Sequence, residues 1–378
     1  MIRVGVITAT RAEYGLLKPV ILEFNKIKNI DLRLIVTGTH LSKKYGYTIN
    51  EIIADKIKIY KKINIISDKN QNIINIFNNA VSKFSSLLKK NKFDTVVLLG
   101  DRYETLGFAI ACMFNNVPIC HLYGGETTEG AIDEAIRHSI TKMSYLHFTS
   151  CEEYRKRVIQ LGEDPKRVFN VGSTGVENVV NTKTYSKKEL SKIIGLELKK
   201  YFVVTYHPVT LKDNSSKDFK NLLLALDKFS DYQVIFTKSN ADSGGSEINK
   251  LIDKYVLTHN NSKCFYSLGT KKYLSLVKYS SAVIGNSSSG LTEVPALLVP
   301  TVNIGDRQLG RIKVKSVFDC DYSAKSIVSA ISQALPFNNK MKLSDVPFYK
   351  KNTSKNIAKT ISNVFSKHIN IMKKFYDL

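Results

Sequence analysis

Short β-branched strands alternate with helical stretches along the chain, and the alternation runs twice. Residues 2–7, Ile-Arg-Val-Gly-Val-Ile, read as a buried strand, followed by a loop and a helix from about 13 to 26. Leu32–Val36, Asp94–Leu99, Pro118–Tyr123, Leu146–Thr149 and Val168–Val171 continue the strand series, with a helix at 103–114. The pattern restarts after a Lys-rich helical connector at 176–200. Phe202–Tyr206, Gln233–Thr237, Phe265–Ser267, Ala282–Gly285 and Pro300–Ile304 are its strands, with a helix at 216–229. Strand–helix alternation of this kind builds βαβ units around a parallel sheet. The expected fold is therefore α/β, with two Rossmann-like doubly wound domains at 1–175 and 176–352 facing a cleft. In the tail, 353–378, Ile357, Ile361, Val364, Phe365, Ile369 and Met372 recur near helical spacing. The tail is expected to be a C-terminal helix that packs back across the domains.

In doubly wound sheets, ligands sit beyond the carboxyl ends of the strands. The polar residues that follow each strand are thus the candidates. After strand one come Thr10-Arg11-Ala12-Glu13-Tyr14-Gly15. Arg11 before a helix N-terminus suits a phosphate, or pairs with a neighbouring acid on the surface. Leu99-Gly100-Asp101-Arg102-Tyr103-Glu104 offers Asp101 either as a functional carboxylate or as a helix cap completed by Glu104.

The segment Tyr123-Gly124-Gly125-Glu126-Thr127-Thr128-Glu129-Gly130-Ala131-Ile132-Asp133-Glu134 is the densest candidate, with four carboxylates and three glycines. Paired carboxylates divide acid and base roles when their surroundings push their pKa values apart. The plainer alternative is an acidic loop whose Asp133 and Glu134 favour a helix dipole.

In the second half, His207 of Tyr206-His207-Pro208 ends a strand and can bind phosphate or move a proton. Gly285-Asn286-Ser287-Ser288-Ser289-Gly290-Leu291-Thr292-Glu293 reads as strand, small-residue loop and helix, an anion cradle with Glu293 one turn in, able to accept from ribose hydroxyls. Arg307 follows a further strand. Neither a Walker loop nor G-x-G-x-x-G is present, which disfavours hydride transfer with NAD.

Composition narrows the partner class. The chain has 56 Lys+Arg against 33 Asp+Glu, a formal net charge of +23, which favours anionic ligands. The lysines are scattered, and no block of five like charges marks a nucleic-acid face. No apolar run approaches the ~18 residues of a membrane span. The five cysteines, Cys112, Cys120, Cys151, Cys264 and Cys320, form no C-x-x-C and no zinc-ligand cluster. A cytoplasmic protein without nucleic-acid or membrane partners is expected.

Taken in order, these segments resemble the UDP-N-acetylglucosamine 2-epimerase family. They are Thr8–Gly15, Val36–Gly46, Leu98–Glu104, His121–His138, Glu152–Gly172, Val203–Thr210, Ser239–Gly244 and Ile284–Arg311. They look most like its hydrolysing branch. The resemblance implies the GT-B fold and a reaction in which the C2 proton is removed as the nucleotide leaves C1. The 2-acetamidoglucal formed takes up water, and a proton returns to the opposite face of C2.

By the same resemblance Asp101, Glu126, Asp133 and Glu134 stand at the acid/base positions, and Arg11, Arg102 and His207 on the phosphate side. Ser287, Ser288 and Glu293 match diphosphate and ribose contacts, with Arg307 nearby. Asn240 and Asp242 match a loop near the nucleotide, and His40 is a further binding candidate. Gly15 departs from the Ser or Lys of some members and removes one phosphate contact. The resemblance implies no metal or redox cofactor, and a homodimer or homotetramer. The expected reaction converts UDP-N-acetylglucosamine and water to N-acetylmannosamine and UDP for sialic acid synthesis. The alternatives are a hydrolysing epimerase of UDP- or GDP-N,N'-diacetylbacillosamine, a non-hydrolysing epimerase, and a GT-B glycosyltransferase. The last would not need the carboxylate-rich loop at 126–134.

Overall fold

A computed structural model describes residues 1–66, 72–129, 132–208, 215–239, 245–266, 268–337 and 341–378. The chain divides into two units, one of Met1–Asn178 with Phe348–Leu378, the other of Val179–Pro347.

The first unit holds a seven-stranded sheet. Its strands are β1 (Ile2–Thr8), β2 (Ile30–Thr37), β3 (Ile59–Ile63), β4 (Thr95–Leu99), β5 (Ile119–Leu122), β6 (Leu146–Thr149) and β7 (Val168–Asn170). The order is β3-β2-β1-β4-β5-β6-β7, and every pairing is parallel. Chain direction across the sheet therefore reverses between β1 and β4. Their carboxyl ends, at Ala9–Arg11 and Gly100–Arg102, flank the crevice where such sheets take ligands. The central strands are buried along their length, β4 at every residue. Helices cover both faces, as a wholly parallel sheet requires.

The second unit repeats the plan with six strands. They are β8 (Tyr201–Thr205), β9 (Gln233–Thr237), β10 (Ser262–Phe265), β11 (Ala282–Gly285), β12 (Thr301–Ile304) and β13 (Val317–Cys320). Their order, β10-β9-β8-β11-β12-β13, puts the reversal between β8 and β11, with Tyr206–His207 and Asn286–Ser288 at its carboxyl end. The sequence expectation of two doubly wound α/β domains holds.

Some elements differ from the sequence reading. The first helix starts at Arg11, earlier than expected, because Thr10 and Glu13 form a reciprocal capping box. The strand expected at 265–267 runs Ser262–Phe265, and Ser267 lies outside the described residues. The tail is helical only over Thr353–Phe365. Its Ile357, Ala358 and Ile361 join the core of the first unit with Val20, Ile21 and Phe24. Beyond Phe365 the chain is not helical. It is pinned to the first unit through Lys373, whose ammonium bonds both oxygens of the buried Glu163 at 2.9 and 2.8 Å. Among the described residues no helix is long and apolar enough to cross a membrane.

Candidate active site

In the first unit Asp101, Glu134 and the backbone of Glu126 meet at one arginine. Gly125 starts the construction. Its φ is +81°, and a Cβ there would strike the Tyr154 carbonyl, so only glycine lets the loop lie against the helix Glu152–Gln160. Arg157 Nη1 fastens it by donating to the Gly125 carbonyl at 2.5 Å. The next residue, Glu126, accepts from the Ser150 hydroxyl at 2.8 Å.

Arg137 rises from the helix Ile132–Met143 with its side chain 3% exposed. Its Nη1 donates to the Glu126 carbonyl and to Glu134 Oε2, each at 2.7 Å. Its Nη2 donates to the Asp101 carboxylate and, at 3.0 Å, to Thr128 Oγ1. Glu134 also accepts from the Thr128 N–H at 2.6 Å and lies 3.1 Å from His138 Nε2. Burial works against its charge, yet the Thr128 N–H, His138 and Arg137 hold its carboxyl below the ordinary value. Asp133, the neighbouring residue, goes the other way: burial and the Asp101 charge raise it against the pull of Arg137 and Arg102. Adjacent carboxylates thus have their proton affinities pushed apart, the arrangement that divides acid from base.

Asp101 does not act as a helix cap. Arg102 occupies the cap position without a side-chain bond, and Glu104 bonds Arg102 Nε at 2.6 Å. Across the β1/β4 reversal, Glu13 Oε2 accepts from the Ala9 and Thr10 N–H groups, both at 2.9 Å. Burial and the Glu104 charge push the Glu13 carboxyl up to about 7. Arg11 forms an ion pair with Glu51 at 2.8 Å on the surface. His40 is buried, its two ring nitrogens 3.1 Å from Thr8 Oγ1 and 2.8 Å from Thr48 Oγ1, and burial lowers it to about 4. The ring is thus neutral and fully bonded within the fold, which favours a structural role over a ligand contact.

The second unit has its own hub. Asn286 is fully buried. Its Oδ1 accepts the His207 N–H and its Nδ2 donates to the His207 carbonyl, each at 2.8 Å. Arg307 Nη1 and Gln308 Nε2 both donate to the Asn286 carbonyl at 3.0 Å. Gly285, at φ +145°, lets β11 close onto β8; a Cβ there would collide with the Thr205 carbonyl. His207 Nδ1 lies 3.5 Å from Ser239 Oγ. Ser287 and Ser288 form the half-buried turn into the helix Ser289–Ala296. Glu293 in that helix is half-buried, and burial pushes its carboxyl up to about 7 while Ser289 pulls it down. Asn240 and Asp242 lie outside the described residues. No group of three His, Cys, Asp or Glu side chains among the described residues is placed to hold a metal.

The family model for UDP-N-acetylglucosamine 2-epimerase matches residues 22–362. The chain belongs to that family. Over 378 residues it is 42% identical to polysialic acid biosynthesis protein P7 of Escherichia coli, covering 98% of this chain and 96% of that protein. It is 44% identical over 324 residues to the hydrolysing GDP/UDP-N,N'-diacetylbacillosamine 2-epimerase of Campylobacter jejuni, covering 84% of each. The crystal structure of UDP-GlcNAc 2-epimerase from Neisseria meningitidis bound to UDP-GlcNAc matches at a TM-score of 0.79 and 18% identity, over 96% of this chain and all of that one. That likeness is one of fold, the GT-B type. The chain is thus an enzyme of the 2-epimerase family, with hydrolysing relatives.

Arg137 and Asn286, the two hubs of this epimerase fold, were not among the site residues expected from sequence. A weak signal existed for each. Arg137 stands one turn after Asp133 and Glu134, and Asn286 directly follows a strand-ending glycine.

Proposed function

We propose that this chain is a hydrolysing 2-epimerase that converts UDP-N-acetylglucosamine and water to N-acetylmannosamine and UDP. The observation that carries the reading is the carboxylate group on Arg137. Asp101 and Glu134 are tied to one guanidinium, while the adjacent Asp133 is pushed towards holding a proton. Removing the weakly acidic C2 proton and returning one to the other face calls for two groups of unequal proton affinity. Asp133, raised, and Glu134, lowered, are such a pair, with the Asp101 and Glu126 carboxylates beside them as the further acid/base groups.

The nucleotide leaves as a diphosphate, so stabilising its charge is a large part of the catalysis. Arg11, Arg102 and His207 serve that role, with Ser287, Ser288, Glu293 and Arg307 on the diphosphate and ribose. The fixed backbone of His207 supports this, since a preorganised donor loses little on binding. The likeness to a protein named for polysialic acid biosynthesis, over nearly the whole chain, supports the N-acetylmannosamine product. Free thiols at all five cysteines support a reducing, cytoplasmic setting.

A second reading rests on the 44% identity to the diacetylbacillosamine enzyme. Here the substrate is a UDP- or GDP-linked 2,4-diacetamido sugar and the chemistry at C1 and C2 is the same. Rates of nucleotide release measured side by side on both substrates separate the two. Preference for the 2,4-diacetamido sugar would replace the first reading, and failure on both would reject the proposed reaction.

A further inference from the structure

Arg137 has no part in the chemistry assigned above, yet three separately encoded segments end on it. The loop after β4 contributes Asp101. The glycine-bearing loop after β5 contributes the Glu126 carbonyl and Thr128 Oγ1, and the helix Ile132–Met143 contributes Glu134. Burying a guanidinium costs several kcal/mol unless its N–H groups are met. Here acceptors from the candidate site meet it. A guanidinium is a rigid planar fork, whereas a lysine ammonium is a point charge on a flexible stem. Only the fork reaches acceptors on three segments at once.

We infer that Arg137 is a positioning residue for the epimerase reaction, the side chain that sets the Asp101, Glu126 and Glu134 segments in register. The inference rests on the acid/base assignment proposed above. The charged and titratable groups around the guanidinium are Asp101, Glu126 and Glu134, with Asp133 and Arg102 beside Asp101, His138 on Glu134, and the buried His121 of β5, which feels the Arg137 charge. Arg137 favours the ionised forms of Asp133 and Glu134, so its removal raises the proton affinity of both.

The test compares the wild-type full chain with Arg137→Lys and Arg137→Ala on UDP-N-acetylglucosamine and on the 2,4-diacetamido sugar nucleotides, across pH. A misplaced catalytic group costs about 100-fold, so kcat of Arg137→Lys falls by about that factor. Its KM and UDP affinity stay within about threefold of wild type, because uniform binding is untouched. Guanidinium ion restores part of the Arg137→Ala activity, and the acidic limb of its kcat profile moves to higher pH. Arg137→Lys with kcat within about threefold of wild type overturns the inference. So does a loss that follows a collapsed melting midpoint and resists guanidinium. Wild-type inactivity on every nucleotide counts against the proposed reaction instead. Arg137 is then judged by carbon-13 carboxyl titration of aspartate- and glutamate-labelled protein. Asp133 and Glu134 titrating at higher pH in Arg137→Ala supports the inference, and unchanged titration overturns it.

Discussion

Asn286 grips the backbone of His207 from both sides, its Oδ1 accepting the His207 N–H and its Nδ2 donating to the His207 carbonyl, each at 2.8 Å. The amide is fully buried, so neither bond can be replaced by water at the surface. Asn286→Asp swaps a donor for an acceptor facing the His207 carbonyl. Leaving a buried polar group unmet costs about 1–3 kcal/mol. The expected outcome is that loss of stability in urea denaturation, together with a fall in kcat. A variant as stable and as active as wild type removes the clamp from the account.

Gly285 makes that clamp possible. Its φ of +145° is open to glycine alone, and a Cβ would run into the Thr205 carbonyl. Gly285→Ala should therefore destabilise the protein by about 3 kcal/mol or more, through strain and forced separation of β8 and β11. Chemical denaturation of the purified variant checks this, and a cost under about 1 kcal/mol contradicts it.

Glu13 gives stability a distinct pH signature. Its carboxyl is near 4.5 when free and about 7 in the fold. Between those values the folded state holds a proton that the unfolded state has lost. The contribution is therefore full below pH 4.5 and fades as pH rises to 7. His40 works oppositely, since its lowered value favours the folded state as pH rises from 4 to 6.5. The difference between wild type and Glu13→Gln isolates the first effect. The amide oxygen still accepts the Ala9 and Thr10 N–H bonds, so relative to wild type the variant gains on the order of 3 kcal/mol between pH 4.5 and 7. Parallel stability curves for the two proteins would show that Glu13 is ionised in the fold.

The carboxylates carry the sharpest mutational prediction. Asp101→Asn and Glu126→Gln should each abolish turnover while UDP still binds by calorimetry. Full activity in either variant removes that residue from the mechanism.

The sequence made the buried strands and the helix Tyr103–Phe114 legible, because continuous apolar runs bounded by Gly and Asp have few other readings. Two of the four edge strands, β3 and β13, were not legible, whereas the edges β7 and β10 were read, the latter shifted along the chain. β3 carries exposed Tyr60, Lys61 and Lys62, and β13 carries exposed Asp319, as edges that resist further pairing do. At the site, single carboxylates after strands were visible, but their grouping was not. Arg137 joins residues 36 and 11 positions away in the chain, and one arginine in an amphipathic helix looks like any solvated cation. Asn286 was hidden for the same reason: its partner, His207, lies 79 positions earlier.

The proposed reaction depends on abstraction of the C2 proton with loss of the nucleotide. The direct measurement is incubation with UDP-N-acetylglucosamine in deuterated water, followed by proton and phosphorus NMR. The expected products are free UDP and N-acetylmannosamine carrying deuterium at C2. UDP-N-acetylmannosamine without net UDP release, or UDP release with hydrogen retained at C2, would contradict the proposed reaction.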